Sequence, residues 1–262
     1  MATFPCKRRI HIAPVGFEVD RIVLPLEKYL ADKVWLLSDE FENEGQLFLD
    51  QVIERIEDFD NHCSYQIKRH NVENRDLFSA MKPIREIIQE ESSHQIFVNV
   101  STGTKIQAIA GMMACMMFKS GDSQPTPYYA IPNKYSHNRE KGKQMTSGLK
   151  DVVCLPDYRI EKPDDTLVRT LEIIIGLSEG NKSVTKKELN NALLENGIIQ
   201  TQKIGSDLDQ SQKVSAYQRL DRKIIIPLQN IWKCISIEGK GRGARISITP
   251  NGENILTLLG GK

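Results

Sequence analysis

From Arg9 to Pro14 apolar and polar positions alternate, and the pattern stops at Gly16. That period predicts a strand over Arg9–Pro14 followed by a loop, Ala13-Pro14-Val15-Gly16-Phe17. Between Asp20 and Leu30 the apolar positions move to helical intervals, at Ile22, Leu26 and Leu30. Val34-Trp35-Leu36-Leu37 is a continuous apolar run of the kind that parallel sheets bury on both faces. Helical spacing returns over Gly45–Ile56, a third strand is predicted over Ser64–His70, and Asn74–Glu90 carries Leu77, Met81, Ile84, Ile87 and Ile88 on one helical face. A fourth strand, Ile96 to Val100, runs into Ser101-Thr102-Gly103-Thr104-Lys105 and then into a helix that ends near Phe118; Tyr128–Ile131 makes a fifth strand. Strands alternating with helices at this spacing predict right-handed βαβ units around a parallel sheet. Ligands of such sheets sit beyond the carboxyl ends of the strands, where the strand order reverses. The loops after the first and fourth strands are therefore expected to act together.

The helix after Lys105 has almost no polar face, with Ile106, Ile109, Met112, Met113, Met116 and Met117 spread around it. A helix apolar all round is buried all round, either at the centre of its own domain or under a second subunit. From Pro132 to Lys150 the pattern dissolves into a polar, basic stretch with the length of a disordered or functional loop. Val152–Leu155 reads as a last short strand, and Pro156–Asp165, with two prolines and three aspartates, as a linker. The expected division is thus an α/β domain over 1–155, a linker over 156–165 and a second domain over 166–262.

The second domain has a different grammar. Thr166–Leu177 is an amphipathic helix, Thr185 and Glu188 are spaced as a capping box for another, and a third is expected over about Val214 to Ile226. Ile235-Ser236-Ile237 and Ile246-Ser247-Ile248 alternate about the glycine-flanked tip Gly239-Lys240-Gly241-Arg242-Gly243, and Thr249-Pro250 caps a closing helix. Three helices followed by a basic hairpin is the order of a winged helix-turn-helix.

Composition sharpens this picture at two points. The net charge is only +1, yet between Lys203 and Arg245 nine Lys and Arg face four Asp and Glu. Local excess of this kind is what a nucleic-acid partner responds to. Double-stranded DNA is the expected partner, with Ser215, Gln218, Arg219, Arg222 and Lys223 on the third helix reading bases or phosphates, and Lys240, Arg242 and Arg245 supplying phosphate contacts. The five cysteines are scattered without a CxxC pair, which excludes a zinc ribbon and a disulfide frame, and no metal site is expected. Met1–Arg9 is polar and basic, and Ile106–Phe118 is too short to span a bilayer, so a cytoplasmic location without a membrane partner is expected.

Ser101-Thr102-Gly103-Thr104-Lys105 joins small residues, hydroxyls and a lysine at a helix start, a place that favours anions. It lacks the four-residue spacer of a Walker A loop and the glycine pattern of a dinucleotide fold. Asn99-Val100-Ser101-Thr102-Gly103-Thr104-Lys105 resembles the fourth-strand motif of CARF domains (CRISPR-associated Rossmann fold), with Ser-Thr-Gly where Thr-Gly-Gly is commoner. The tail from Val214 to Leu256 resembles the winged helix-turn-helix joined to such domains in archaeal regulators. The resemblance implies a homodimeric, CRISPR-associated transcriptional regulator that senses a cyclic oligoadenylate, tetra-adenylate first, and uses no other cofactor. Ser101, Thr102, Gly103, Thr104 and Lys105 would hold phosphate and ribose, with Val15, Gly16 and Phe17 lining the other side. The alternative is a metal-independent ring nuclease that uses Ser101, Lys105 and His137 to drive 2′-hydroxyl attack on the neighbouring phosphate. The acidic run Asp39-Glu40-Phe41-Glu42-Asn43-Glu44 reads as a solvated helix start.

Overall fold

The computed structural model describes residues 6–39, 44–59, 63–70, 76–119, 124–136, 140–156, 158–178, 183–199 and 217–261. Two compact units divide between Glu161 and Lys162.

In the first unit six strands form one sheet: β1 (Arg9–Pro14), β2 (Lys33–Asp39), β3 (Ser64–His70), β4 (Gln95–Asn99), β5 (Thr126–Ile131) and, after a small hairpin β6 (Lys134–Tyr135) and β7 (Thr146–Ser147), the strand β8 (Asp151–Cys154). Their spatial order is β3-β2-β1-β4-β5-β8, parallel throughout except for β8, which runs antiparallel on the edge beside β5. The order reverses between β1 and β4, so the two loops singled out by the pattern share the switch point. Helices α1 (Asp20–Lys28), α2 (Glu44–Glu57), α3 (Leu77–Glu90) and α4 (Lys105–Met117) cover the sheet. One core packs Ala13, Val34 and Leu36 of the sheet against Ile22, Leu26, Phe48, Leu49 and Val52 of α1 and α2. Each of the larger of these side chains, withdrawn from water, contributes about 1.5–3 kcal/mol against chain entropy.

Helix α1 ends earlier than its spacing predicts. Leu30 adopts a positive φ of 51° and turns outward, so the face is completed by Val23 and Leu26. On α4 a glycine sits in mid-helix for a packing reason: a Cβ on Gly111 would lie 3.1 Å from Val100 Cγ1 and 3.2 Å from Val98 Cγ1. That lets the helix axis settle close onto β4, and Ala110, Ala114 and Cys115 are sealed beneath it. Among the described residues the opposite face stays open, with Ile109 50% exposed beside Ile106. The helix is therefore not enclosed by its own domain. At its far end the carbonyl of Met116 accepts a bond of 3.1 Å from the amide of Ile160.

The polar stretch 132–150 is organised, with residues 137–139 outside the description. The connection between β6 and β7 and the residue after β7 meet the N-terminal ends of α2 and α1: Gly142 N donates to Glu44 Oε1 at 3.0 Å, and Gly148 N to Asp20 Oδ2 at 2.7 Å.

In the second unit α5 (Asp165–Leu177) starts at Asp164, whose side chain caps it, and α6 (Lys186–Glu195) carries the expected Thr185–Glu188 capping box. Residues 217–231 form α7. It runs five residues beyond the predicted end and is wound as a π-helix over Asp221–Ile225 and Pro227–Ile231. Ile226 N reaches Asp221 O, and Trp232 N reaches Pro227 O at 2.9 Å. Pro227 has no amide to give to the regular ladder, and the bonds on both sides of it span five residues. Strands β10 (Ile235–Glu238) and β11 (Arg245–Ile248) pair antiparallel, and a short strand absent from the sequence reading, β9 (Val184–Thr185), joins the far side of β11. The closing helix α8 (Pro250–Leu259) is capped by Thr249 with Pro250 at its first position.

Candidate functional site

The site in the first unit grows out of Asn99, the last residue of β4. This side chain is fully buried; its Nδ2 donates to the carbonyl of Arg21 at 2.9 Å, and its Oδ1 accepts from the Ser101 amide at 2.9 Å and from the Ser101 hydroxyl. One amide group thus ties the exit of β4 to α1 and bends the chain into the turn. Next, Thr102 is turned inward, 3% exposed, and its hydroxyl donates to Pro14 O at 2.7 Å. Gly103 has φ of +74°, which an L side chain adopts at a cost, and lies against Gly16. Thr104 caps α4 reciprocally with Gln107: Thr104 N donates to Gln107 Oε1 at 2.7 Å and Gln107 N to Thr104 Oγ1 at 3.2 Å. Lys105 opens the helix with its side chain exposed.

The other wall is the β1–α1 loop. Val15 is held by its amide to Leu37 O at 2.8 Å, and the Phe17 ring meets Phe48 edge-on with centroids 5.4 Å apart while staying 40% exposed. All eight residues expected at this site are therefore brought to one end of the sheet. They do not have equal roles. The Thr102 hydroxyl donates inward to Pro14 O and the Thr104 hydroxyl oxygen accepts from Gln107 N, whereas Lys105 and Phe17 face outward. Ser101 is half-buried with its hydroxyl on Asn99.

Beneath the turn lies a buried polar line that the strand pattern hid. Tyr128, opposite Asn99 on β5, is fully enclosed, and its hydroxyl lies 3.2 Å from His11 Nδ1. Burial pushes the Tyr128 phenol up, against the bond it makes with Asn99. His11 is 3% exposed, stacked near Phe97, and its Nε2 has no partner. Burial, helped by the charge of Arg9, lowers its pKa to about 3, so His11 is neutral at pH 7. His137, the histidine expected in a ring-cleaving role, lies outside the described residues. Among the described residues no group of His, Cys, Asp and Glu has the arrangement of a metal site, and no helix is long and apolar enough to cross a membrane.

The second unit offers its own surface. Gln218, Arg219, Arg222 and Lys223 are exposed along α7, while Leu220, Ile224 and Leu228 anchor its other side. Ser215 lies outside the described residues. Lys240, Arg242 and Arg245 are exposed on the wing, and the Arg242 guanidinium sits over the Tyr217 ring at 5.0 Å, joining the wing tip to the start of α7. Lys186 Nζ pairs with Asp221 Oδ1 at 2.5 Å and holds α7 to the first turn of α6. The helical spacing puts Tyr217 on the inward side of α7, but neither its contact with Arg242 nor the Lys186 pair is visible in the sequence, since both depend on how the elements fold together.

Two family models match the chain in tandem. Residues 9–135 match "HFX_2341_N:-like, N-terminal", and residues 168–260 match the DUF6293 C-terminal winged helix domain. The uncharacterized protein MJ1513 of Methanocaldococcus jannaschii is 28% identical over 206 residues, 69% of this chain and 59% of that protein. The chain thus spans less than two thirds of this relative's length. Among solved structures, Enterococcus italicus Csm6 bound to cyclic hexa-2′-fluoro-hexa-dAMP is 20% identical with a TM-score of 0.42, over 50% of this chain and 35% of that one. Protein VC1899 from Vibrio cholerae is 15% identical at TM-score 0.38, over 95% and 66% of the two chains. Can2 from Sulfobacillus thermosulfidooxidans in complex with cyclic tetra-adenylate is 13% identical at TM-score 0.37, over 95% and 63%. At these TM-scores the structural likenesses carry no functional argument.

Proposed function

We propose that this chain, which joins an α/β domain with a CARF-type fourth-strand motif to a winged helix domain of the DUF6293 type, is a ligand-responsive DNA-binding regulator. Its ligand is a cyclic oligoadenylate, and cyclic tetra-adenylate is the form to test first. The observation that carries this reading is the meeting of the β1 and β4 loops at the switch point, locked by Thr102 on Pro14, with Lys105 at the start of α4. A helix start with an exposed lysine attracts phosphate, and an exposed aromatic such as Phe17 supplies an apolar surface for a base. The uncovered face of α4, with Ile106 and Ile109, supports a homodimer in which two such loops oppose each other across a two-fold axis. A symmetric ring would then bridge both copies. The exposed basic row of α7, with the wing beside it, supports double-stranded DNA as the second partner, in a CRISPR-associated transcriptional setting.

The test is thermal unfolding with cyclic tetra-adenylate, with the integrity of the ring followed in the same samples. Saturation at a hundred times Kd should add about 2.7 kcal/mol of stability. Lys105→Ala should lose most of that gain while keeping the ligand-free Tm, because its side chain is exposed. Absence of any stabilisation of the wild-type protein by cyclic tetra- or hexa-adenylate would refute the ligand assignment.

A further inference from the structure

Helix α1 begins without a cap of its own: Val19 stands at the N-cap position and has no side-chain acceptor to offer. The acceptor comes from 125 residues away. Gln144 Oε1, on the turn that crosses this end of the sheet, receives the amides of Val19 and Asp20, each at 2.9 Å. Bonds on either side fix the same junction: Thr146 N donates to Glu18 Oε2 at 3.2 Å, its hydroxyl donates to the same oxygen, and Gly148 N donates to Asp20 Oδ2 at 2.7 Å. Residues 18–20 follow directly on Val15–Phe17, so whatever holds them sets where Gly16 stands relative to Gly103.

We propose that Gln144 is a positioning residue for the β1–α1 loop, acting as a cap supplied in space to α1 and thereby holding Val15–Phe17 in the place from which they face the β4 turn. Its chemistry suits that task. A neutral amide oxygen satisfies two helix-start amides without adding charge beside a site meant for an anion. It also occupies a second helix N-terminus that would otherwise compete for the same phosphate. The neighbouring Asp20 keeps its charge and is paired with Arg55 at 2.5 Å. Burial would raise the Asp20 pKa, but the Gly148 amide and the Arg55 guanidinium outweigh burial and hold it below the ordinary carboxylate value. The positioning role stands apart from ligand identity; its consequence for affinity rests on the function proposed above.

Amide hydrogen exchange on the full chain tests it. In ligand-free Gln144→Ala the amides of Val19 and Asp20 should exchange at least tenfold faster, while the amides of the β1 core stay unchanged. Gln144→Met keeps the volume of the side chain and removes the acceptor, so it should exchange as fast as Gln144→Ala, which a loss of packing volume alone does not explain. Unchanged exchange at Val19 and Asp20 in Gln144→Ala overturns the proposal, and so does an acceleration spread evenly over the β1 core. Titration with cyclic tetra-adenylate separates the two claims. About tenfold weaker binding by Gln144→Ala supports both, and unaltered binding despite a loosened loop overturns the link to the site. A wild-type protein that binds no ring yet shows the exchange effect supports the cap and refutes the ligand.

Discussion

Gly16 and Gly103 meet backbone to backbone: a Cβ on Gly16 would stand 2.8 Å from the Gly103 nitrogen and 2.9 Å from its Cα. The closeness of the two loops depends on the absence of two methyl groups. Gly16→Ala should therefore push the β1 loop off the β4 turn, lowering stability by about 1–3 kcal/mol, and should weaken ligand binding by more than its effect on folding requires. Urea unfolding beside a binding titration reads both. A variant with wild-type stability and affinity would mean that the loops part without cost.

Asn99 has no spare bonding capacity. Asn99→Ala removes the donor to Arg21 O and the acceptor for Ser101 N in a fully buried place, leaving both groups unpaired. The expected loss is about 2–3 kcal/mol, measured as a drop in the urea midpoint at constant m-value. Ser101→Ala should cost less, because the Ser101 amide keeps its bond to Asn99.

The pH dependence of stability follows from His11. Its ordinary value of 6.5 applies to the unfolded chain, whereas burial and Arg9 lower it to about 3 in the folded protein. The unfolded state therefore binds the extra proton between these values, and stability falls as pH drops through that window, by about 1.4 kcal/mol per pH unit. His11→Phe removes the titration together with the unpartnered Nε2 and should flatten the acid limb of a Tm-against-pH curve. An acid limb as steep as wild type in this variant would place the sensitivity elsewhere.

For the second unit, the double variant Arg219→Ala with Arg222→Ala should weaken DNA binding and reduce the slope of log K against log salt by about 2, since each lost phosphate contact removes about 0.9. Cyclic tetra-adenylate binding should be unaffected. A salt slope equal to wild type would exclude these arginines from the phosphate contacts.

Much of the fold could be read in advance because its signals are local. The strand-to-helix switches at Pro14 and Asn99, the capping box of Thr185 with Glu188 and the Thr249-Pro250 start all lie within a few residues of what they control. The two loops of the first unit were also legible, since a parallel βαβ chain forces them to one edge. What escaped depends on distant partners. The stretch 140–148 has the composition of a loose loop, and what places it is Glu18, Asp20 and Glu44, whose contacts cross about a hundred residues of sequence. Thr102 looked like a ligand hydroxyl, yet Pro14 O claims it. The winding of α7 likewise answers to Pro227, which the period of apolar positions registers poorly.

Lys105 and Met116 stand near the two ends of one rod. Helix α4 has 13 residues, a length of about 20 Å at 1.5 Å per residue. Its first residue flanks the β4 turn, and one of its last carbonyls is bonded to Ile160, just ahead of the break between the units. The helix and this bond form one continuous hydrogen-bonded path from the β4 turn to residue 160. The antiparallel β8 closes that path: by reversing direction it carries the chain back from the loop end of the sheet to the end where α4 finishes.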